Sequence, residues 1–261
     1  MIGLVFALPQ ELDSLRVKLG PSSRLRADGF TFYYTCLDGQ PVVLARSGIG
    51  LERSRRAAEG LLKIFNVNAV VSVGLAGGVR DGVHTGDLII ARSVVNYSQV
   101  ERPEAASASY PCHKGLVDLS CRLARERGLE FRCGDLLTVD EVVAQPTSKR
   151  KIGDATTAEA VDMEAVGVAE AAMAYKKPFL ALKVLSDEIG DELKAYDLVD
   201  VEGRVRTLSV ISYLINNPLD LAYLLRLHQK TSVALGKLAL FLPYFIEGSR
   251  GVLNSLHVVE E

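Results

Sequence analysis

The sequence has no excess of positive charge, no long apolar run and no recognisable leader. Its 261 residues carry 30 Lys and Arg against 32 Asp and Glu, a formal net charge of −2, so no nucleic-acid surface is expected. No stretch approaches the ~18 apolar residues of a membrane-spanning helix. The apolar residues 1–9 lack the basic start of a secretory signal and are interrupted by Gln10 and Glu11. We therefore expect a cytoplasmic protein that begins with a buried strand.

Cysteine and histidine are few and scattered. Four of each occur, with no CxxC pair and no Cys and His at metal-ligand spacing, so reduced thiols and no dedicated metal are expected. The composition, 48% hydrophobic and 24% charged, excludes a disordered chain and a disulfide scaffold. No internal repeat or low-complexity linker divides the chain. We predict one domain over residues 1–261, with residues 200–247 as a helical extension.

Short apolar runs alternate with helical patterns along the chain. Continuous apolar runs, typical of strands covered on both faces, occupy residues 2–8, 30–36, 42–46, 69–74, 87–95, 131–139 and 179–186. Helical patterns occupy residues 51–65, 115–127, 164–175 and 219–242. Residues 101–111 and 187–205 are polar and irregular and are predicted to form loops. This alternation predicts a layered α/β sheet rather than a sandwich or a bundle.

Two glycine-rich segments follow predicted strands. Residues 47–50 read Ser-Gly-Ile-Gly, but the third glycine and the acid of a dinucleotide-binding fingerprint are missing, so a tight strand-to-helix turn is the preferred interpretation. Residues 74–78 contain three glycines. Such a segment permits close approach of a ligand to the backbone, or simply a turn with positive φ.

Three acidic residues follow predicted strands. Glu164 begins an alanine-rich helix, where a carboxylate stabilises the helix dipole or accepts two hydrogen bonds from a sugar diol. Asp187 closes a strand at the edge where open α/β sheets bind ligands, with a turn or cap residue as an equal alternative. For Glu11 the default expectation is an exposed glutamate in the first turn of a helix. Lys183, inside a predicted strand, is expected to reach an edge or to pair with an acid.

Taken in this order, the segments resemble the purine nucleoside phosphorylase superfamily, in particular its methylthioadenosine/S-adenosylhomocysteine nucleosidases. The resemblance covers about residues 2–188 and includes Gly86 and Asp87 as well as the segments above. It implies a three-layer α/β/α fold with a mixed central sheet, a homodimer or higher homo-oligomer, and no organic cofactor or metal.

The resemblance also implies cleavage of the N-ribosidic bond of a purine nucleoside, with adenine as the expected base. Asp187 would protonate purine N7, Glu164 would bind the ribose hydroxyls and Glu11 would activate the attacking water. An aspartic acid with a pKa near 4 is ionised at neutral pH, so this role requires burial, or the purine itself, to keep a proton available. The substrate-binding residues implied by the resemblance are Ala7, Ile49, Ala76, Gly77, Val142, Val143, Met163 and Ser186.

Hydrolysis is preferred over phosphorolysis, which stays as an alternative. Bacterial phosphorylases carry an arginine and a serine where this chain has Ser72 and Leu75, and Glu11 would repel a phosphate dianion. Leu75 also replaces a serine of the nucleosidases, and Val142 replaces an aromatic residue that stacks on adenine. Both changes make the predicted pocket more apolar.

The C-terminal third resembles the tail of hopanoid-associated phosphorylases. Removal of adenine from a lipid-linked adenosine is therefore a further alternative, as is a non-catalytic nucleoside-binding module. The leucine-rich helix is expected to pack on the core or on another subunit, in preference to a weak contact with a membrane.

Overall fold

The computed structural model describes residues 1–97, 108–194, 198, 200–204, 213, 217 and 220–257. Within them lie ten strands and six helices. The strands are β1 (Ile2–Phe6), β2 (Ser23–Ala27), β3 (Phe30–Leu37), β4 (Gln40–Arg46), β5 (Ala69–Gly78), β6 (Leu88–Asn96), β7 (Ser109–Pro111), β8 (Phe131–Thr138), β9 (Ala158–Asp162) and β10 (Phe179–Asp187). The helices are α1 (Pro9–Leu19), α2 (Leu51–Ile64), α3 (Lys114–Glu126), α4 (Pro146–Ala155), α5 (Ala165–Ala174) and α6 (Leu221–His257).

The ten strands join one mixed sheet. Parallel pairs join β1 to β4 and β5, β10 to β5, and β8 to β6 and β9. Antiparallel pairs join β10 to β6 and β5 to β9. As a result β5, β10, β6, β8 and β9 close into a ring, and β1, β4, β3 and β2 extend from β5 as an open arm. The predicted fold class, α/β with a mixed central sheet and a C-terminal helix, is confirmed.

The ring and its helices bury the strands that the sequence marks as most apolar. Every residue of β1 is buried, and so is almost all of β5 and β10. Helix α2 packs against α5, while α6 packs against α1, α3 and β10. All seven predicted strands are present with shifted ends, because a strand covered on both faces keeps an apolar side chain at nearly every position.

Several predicted boundaries are wrong. The segment 101–111 is not all loop, because Ser109–Pro111 forms β7 and pairs with β6; residues 101–107 lie outside the described part. Strand β2 and helix α4 were not predicted, since their sequences are polar and carry little apolar periodicity. In the predicted loop 187–205, Asp187 belongs to β10, whereas residues 188–194 have no regular structure.

The C-terminal helix is longer than predicted. It runs past Pro243 to His257 instead of ending at residue 242. A proline inside a helix removes one backbone hydrogen bond and clashes with the preceding turn. Here Phe241, Phe245 and Ile246 are fully buried around it, and their packing offsets that cost. None of the helices in the described ranges combines the length and apolar character needed to cross a bilayer.

The single domain over residues 1–261 stays a prediction, which the packing of α6 supports. We expect Phe245→Ala to lower the free energy of unfolding by about 3–5 kcal/mol, because it removes a buried aromatic ring. Leu240→Ala, at a side chain 55% exposed on the same helix, should change it by less than about 1 kcal/mol. Urea denaturation followed by circular dichroism measures both. A separate transition for α6 would contradict the single domain.

Candidate active site

A cavity of about 200 Å³ opens where β1, β5, β9 and β10 end. All eleven site residues predicted from the sequence line it: Ala7, Glu11, Ile49, Ala76, Gly77, Val142, Val143, Met163, Glu164, Ser186 and Asp187. Leu75, expected in the pocket as the replacement of a serine, lines it as well, and five further lining residues were not predicted from the sequence: Leu8, Val139, Val161, Asp162 and Leu193. The individual roles of these side chains stay predictions, but the structure brings all of them to one place.

Glu11 is a buried residue and not the exposed glutamate of the default expectation. Only 2% of it is exposed. Its Oε2 accepts hydrogen bonds from the backbone N–H of Ala7 (3.1 Å) and Leu8 (2.8 Å), and its Oε1 accepts one from Leu75 (2.8 Å). Burial raises the pKa of Glu11, against the opposing effects of the Lys183 charge and the three N–H donors. The turn between β1 and α1 thus holds a carboxylate at the cavity wall.

Glu164 reaches across the cavity and does not cap its own helix. Asp162 accepts the hydrogen bond from the backbone N–H of Ala165 at 2.9 Å, which is the usual task of a capping side chain. The Glu164 carboxylate instead accepts one from the backbone N–H of Gly50 at 3.0 Å. Burial raises the pKa of Glu164 to about 7, helped by the nearby Asp162 carboxylate and opposed by Lys183.

Lys183 pairs with an acid, one of the two outcomes expected for it. Its Nζ lies 2.8 Å from Asp162 Oδ2, and both side chains are buried. Burial by itself lowers the pKa of Lys183, but the charges of Asp162, Glu164 and Glu11 outweigh it and raise that pKa. The ammonium therefore serves as the shared counter-charge for the carboxylates on this side of the cavity.

Asp187 ends β10 and is held from two sides. The Ser186 hydroxyl donates to its Oδ1 at 2.7 Å. The Nζ of Lys149 in α4 lies 2.5 Å from its Oδ2, and both of these side chains are buried. Lys149 was not predicted from the sequence, because it lies in the basic run 149–151 that is typical of a solvated helix face.

Two glycines in β5 let the backbone approach these carboxylates. A Cβ on Gly74 would lie 2.7 Å from Glu11 Oε1, and one on Gly77 would lie 3.0 Å from Asp187 Oδ2. Side chains at either position would push the acids away from the strand. The glycine-rich segment 74–78 thus admits carboxylates of the chain itself, and the two sites lie three residues apart, about 10 Å along an extended strand.

The wall of the cavity consists of a group of acidic side chains and an otherwise mostly apolar surface. Four acids line it, and no Lys or Arg side chain does so within the described residues. The remaining wall is mostly Leu, Ile, Val, Ala and Met. In the same part of the chain, no three His, Cys, Asp or Glu side chains are grouped as a metal site. The arrangement suits a neutral ligand with hydroxyl donors and a flat apolar ring.

The closed ring of strands and the acidic cavity at its edge define a mixed α/β protein with a carboxylate-lined ligand site. The sequence pattern of the phosphorylase superfamily matches residues 1–214. The chain belongs to this superfamily.

Similar proteins carry more specific names. A 5′-methylthioadenosine/S-adenosylhomocysteine nucleosidase of Aeromonas salmonicida is 28% identical over 225 residues, which is 82% of this chain and 98% of that protein. The nucleosidase of Neisseria meningitidis in complex with methylthio-immucillin-A superposes with a TM-score of 0.75 at 20% identity, covering 94% of this chain and 97% of that one. Futalosine hydrolase of Helicobacter pylori gives the same TM-score at 18% identity, with the same coverage. The two structures show a shared fold.

The raised pKa of Glu164 makes stability depend on pH. The folded state retains a proton up to a pKa of about 7 that the unfolded chain releases near 4.5, so this contribution is lost as pH rises through that interval. The loss is at most about 1.4 kcal/mol per pH unit for one proton. We expect Glu164→Gln to flatten the decline in unfolding free energy between these two values. Chemical denaturation at a series of pH values measures it.

Glu126→Gln, at an exposed position of α3, is the control and should leave the decline unchanged. Equal slopes for wild type and Glu164→Gln would contradict the assigned protonation of Glu164.

Proposed function

We propose that this chain hydrolyses the N-ribosidic bond of a purine nucleoside, with adenine as the base and methylthioadenosine or S-adenosylhomocysteine as the substrate class. The observation that carries the proposal is the convergence of Glu11, Glu164 and Asp187 on one cavity, whose wall contains no cationic side chain among the residues that the structure describes. The superfamily membership and the names of the similar proteins support it.

The leaving base is the first task of such a site. Expulsion of a purine is easier when N7 carries a proton, because the departing base is then neutral. Asp187, with Ser186 bonded to its Oδ1, faces the cavity at the end of β10. Val139, Val142 and Val143 supply apolar contact for the ring. Asp187 therefore delivers the proton at N7, and the valines hold the plane of the base.

The sugar is the second task. As the bond to the base breaks, the ribose becomes cation-like, and a nearby carboxylate stabilises that charge. Glu164 accepts hydrogen bonds from the backbone N–H groups of Gly50 and Met163. A carboxylate offers about four acceptor positions, so the others accept the ribose hydroxyls. Met163 lies next to it in the cavity wall and covers the sugar face.

Water is the nucleophile that fits Glu11. A carboxylate offers about four acceptor positions, and three on Glu11 are occupied by backbone N–H groups. The remaining position holds one water and accepts its proton. A phosphate dianion would meet the acids of the cavity, and no lysine or arginine in the described part of the chain lines it to bind the anion, which argues against phosphorolysis.

The finer expectations about the whole molecule stay predictions from the sequence. These are a cytoplasmic location, a homodimer or higher homo-oligomer, and a weak membrane contact through the C-terminal helix as the less favoured alternative. In α6, Leu235, Leu238 and Leu242 are buried in the protein, whereas Leu221 and Leu225 are 51% and 57% exposed. The apolar side chains of α6 left for contact with another subunit or a membrane are the exposed ones, Leu221, Leu225, Val233, Leu240 and Tyr244.

The reaction is tested by product analysis. Incubation with a panel of purine nucleosides should yield free adenine and free ribose derivative from methylthioadenosine or S-adenosylhomocysteine, at the same rate in phosphate-free buffer. Chromatography identifies base, sugar and sugar phosphate. Phosphate-dependent formation of a sugar 1-phosphate would overturn hydrolysis, and no base release from any member of the panel would overturn the proposed function.

The acid is tested by substitution. Asp187→Asn should reduce base release by about 10²–10⁴-fold, the usual contribution of a general acid, while the circular dichroism spectrum is retained. Asp154→Asn, at an exposed site on α4, is the matched control and should retain the wild-type rate. Base release by Asp187→Asn at the wild-type rate would show that another group protonates the purine.

A further inference from the structure

Lys149 is a fully buried lysine that no step of the reaction above uses. It is 0% exposed, although its neighbours Arg150 and Lys151 on α4 are exposed. A buried ammonium is strongly unfavourable unless it is paired and hydrogen-bonded. The close packing of α4 is also specific, because a Cβ on Gly153 would lie 2.1 Å from the carbonyl oxygen of Val79. The partners of Lys149 therefore define what it does.

The contacts of Lys149 fix its charge state. Its Nζ donates to Asp187 Oδ2 at 2.5 Å and to the backbone carbonyls of Glu188 and Asp191, each at 2.9 Å. A neutral amine cannot donate three hydrogen bonds, whereas an ammonium can. Lys149 is therefore an ammonium. Its partner Asp187 accepts one of these hydrogen bonds on Oδ2 and a further one from the Ser186 hydroxyl on Oδ1, so both of its oxygens act as acceptors.

The other charged groups near Asp187 have partners of their own and do not take the place of Lys149 beside it. The Asp191 carboxylate is bonded to Lys230 of α6 at 2.5 Å, and the Glu188 carboxylate accepts from the backbone N–H of Thr85 at 3.1 Å and lies 3.4 Å from His84 Nδ1. Burial, with a smaller effect of the Asp187 charge, raises the pKa of Tyr223 on α6. Glu11 and Glu164 line the same cavity.

We propose that Lys149 is a positioning residue that holds Asp187 as an oriented carboxylate, so that the proton for N7 is taken up from solvent once the substrate is bound and is not stored on the empty site. This rests on the proposed function. The requirement for an available proton is then met when the purine binds and N7 offers an acceptor beside Asp187, and not by burial of the acid alone.

The protons balance with Lys149 charged throughout. A proton from solvent passes through the Asp187 carboxyl to N7. The electron pair of the broken C–N bond goes to the base, which leaves as a neutral purine with hydrogen at N7. The ribosyl cation takes the oxygen of water, and the proton lost by that water passes to Glu11 and then to solvent. The regenerated Asp187 carboxylate accepts a hydrogen bond from the N7–H of the product.

Kinetics as a function of pH separate this role from a merely structural one. In Lys149→Met, kcat should fall by about ten- to hundredfold, since misplacing a reacting group by about 1 Å has this effect, while KM stays within about threefold. Loss of the cation also keeps Asp187 protonated to higher pH, so the alkaline limb of kcat/KM should move up by about 1–3 pH units. Lys149→Arg should keep the wild-type limb, and Lys151→Met, two residues along α4, should match the wild type throughout.

A structural role alone would lower the rate equally at all pH values. If the pH profiles of kcat/KM for wild type and Lys149→Met superimpose after they are scaled to the same maximum, the proposal is therefore overturned. If Lys149→Met does not fold, Lys149→Gln replaces it, because glutamine retains hydrogen-bond donors without a charge. Its pH profile is compared with that of Lys149→Arg, and the same upward shift of the alkaline limb is expected. Coincident profiles of the two variants would contradict the proposal.

A binding measurement tests the charge state without turnover. The probe is a 9-deazaadenine nucleoside, whose C–C bond is not hydrolysed and whose N7 carries hydrogen. Calorimetry at pH 7 in two buffers of different ionisation enthalpy should show almost no proton exchange for the wild type, because N7–H meets a carboxylate. Lys149→Met should release close to one proton, because its Asp187 must first ionise.

The two readouts distinguish failure of this proposal from failure of the proposed function. If the wild type binds the probe without proton exchange but releases no base from the nucleosides, the role of Lys149 in holding the carboxylate is supported and the proposed reaction is wrong. Equal proton exchange in wild type and variant, or no binding by the wild type, overturns the role of Lys149.

Discussion

Two buried lysines provide the counter-charge for four buried carboxylates, and the rest of the site depends on how that charge is divided. Lys183 contacts Asp162 directly and acts on Glu164 and Glu11 through its field. Lys149 contacts Asp187. Ionised carboxylates are costly to bury without a partner, so two cations cannot keep all four acids fully charged. The raised pKa values of Glu164 and Glu11 are the result.

This division gives acids of the same type different behaviour. Asp187, with an ammonium and a hydroxyl on its two oxygens, is the carboxylate with the strongest local support. Glu164, which shares Lys183 with Asp162, has a pKa near neutrality. Glu11 is held by backbone N–H groups. Environment and not residue type therefore gives these acids different hydrogen-bond partners and, for Glu11 and Glu164, raised pKa values.

The strands and the acids at their ends were predictable from the sequence. The pairing that closes five of the strands into a ring was not. Continuous apolar runs marked β1, β5 and β10, since strands buried on both faces need no polar alternation. Pairing of β5 with both β9 and β10 joins segments about 100 residues apart in sequence, which local patterns do not encode. Lys183 stood out as a charge inside an apolar strand. Lys149 did not, because its basic neighbours are exposed and the same run is typical of a surface helix.

The C-terminal helix, set apart by the sequence as an extension, is connected to the acid by a short series of contacts. Lys230 of α6 binds the Asp191 carboxylate, the Asp191 carbonyl accepts from Lys149, and Lys149 binds Asp187. The segment 188–194, which has no regular structure, is thus fixed at both sides by lysines from two helices. The proposed protonation of N7 requires the Asp187 carboxyl in one orientation, and the segment 188–194 supports it because its own strand ends at Asp187. The helix therefore contributes to the site by holding the loop behind the acid, without lining the cavity itself.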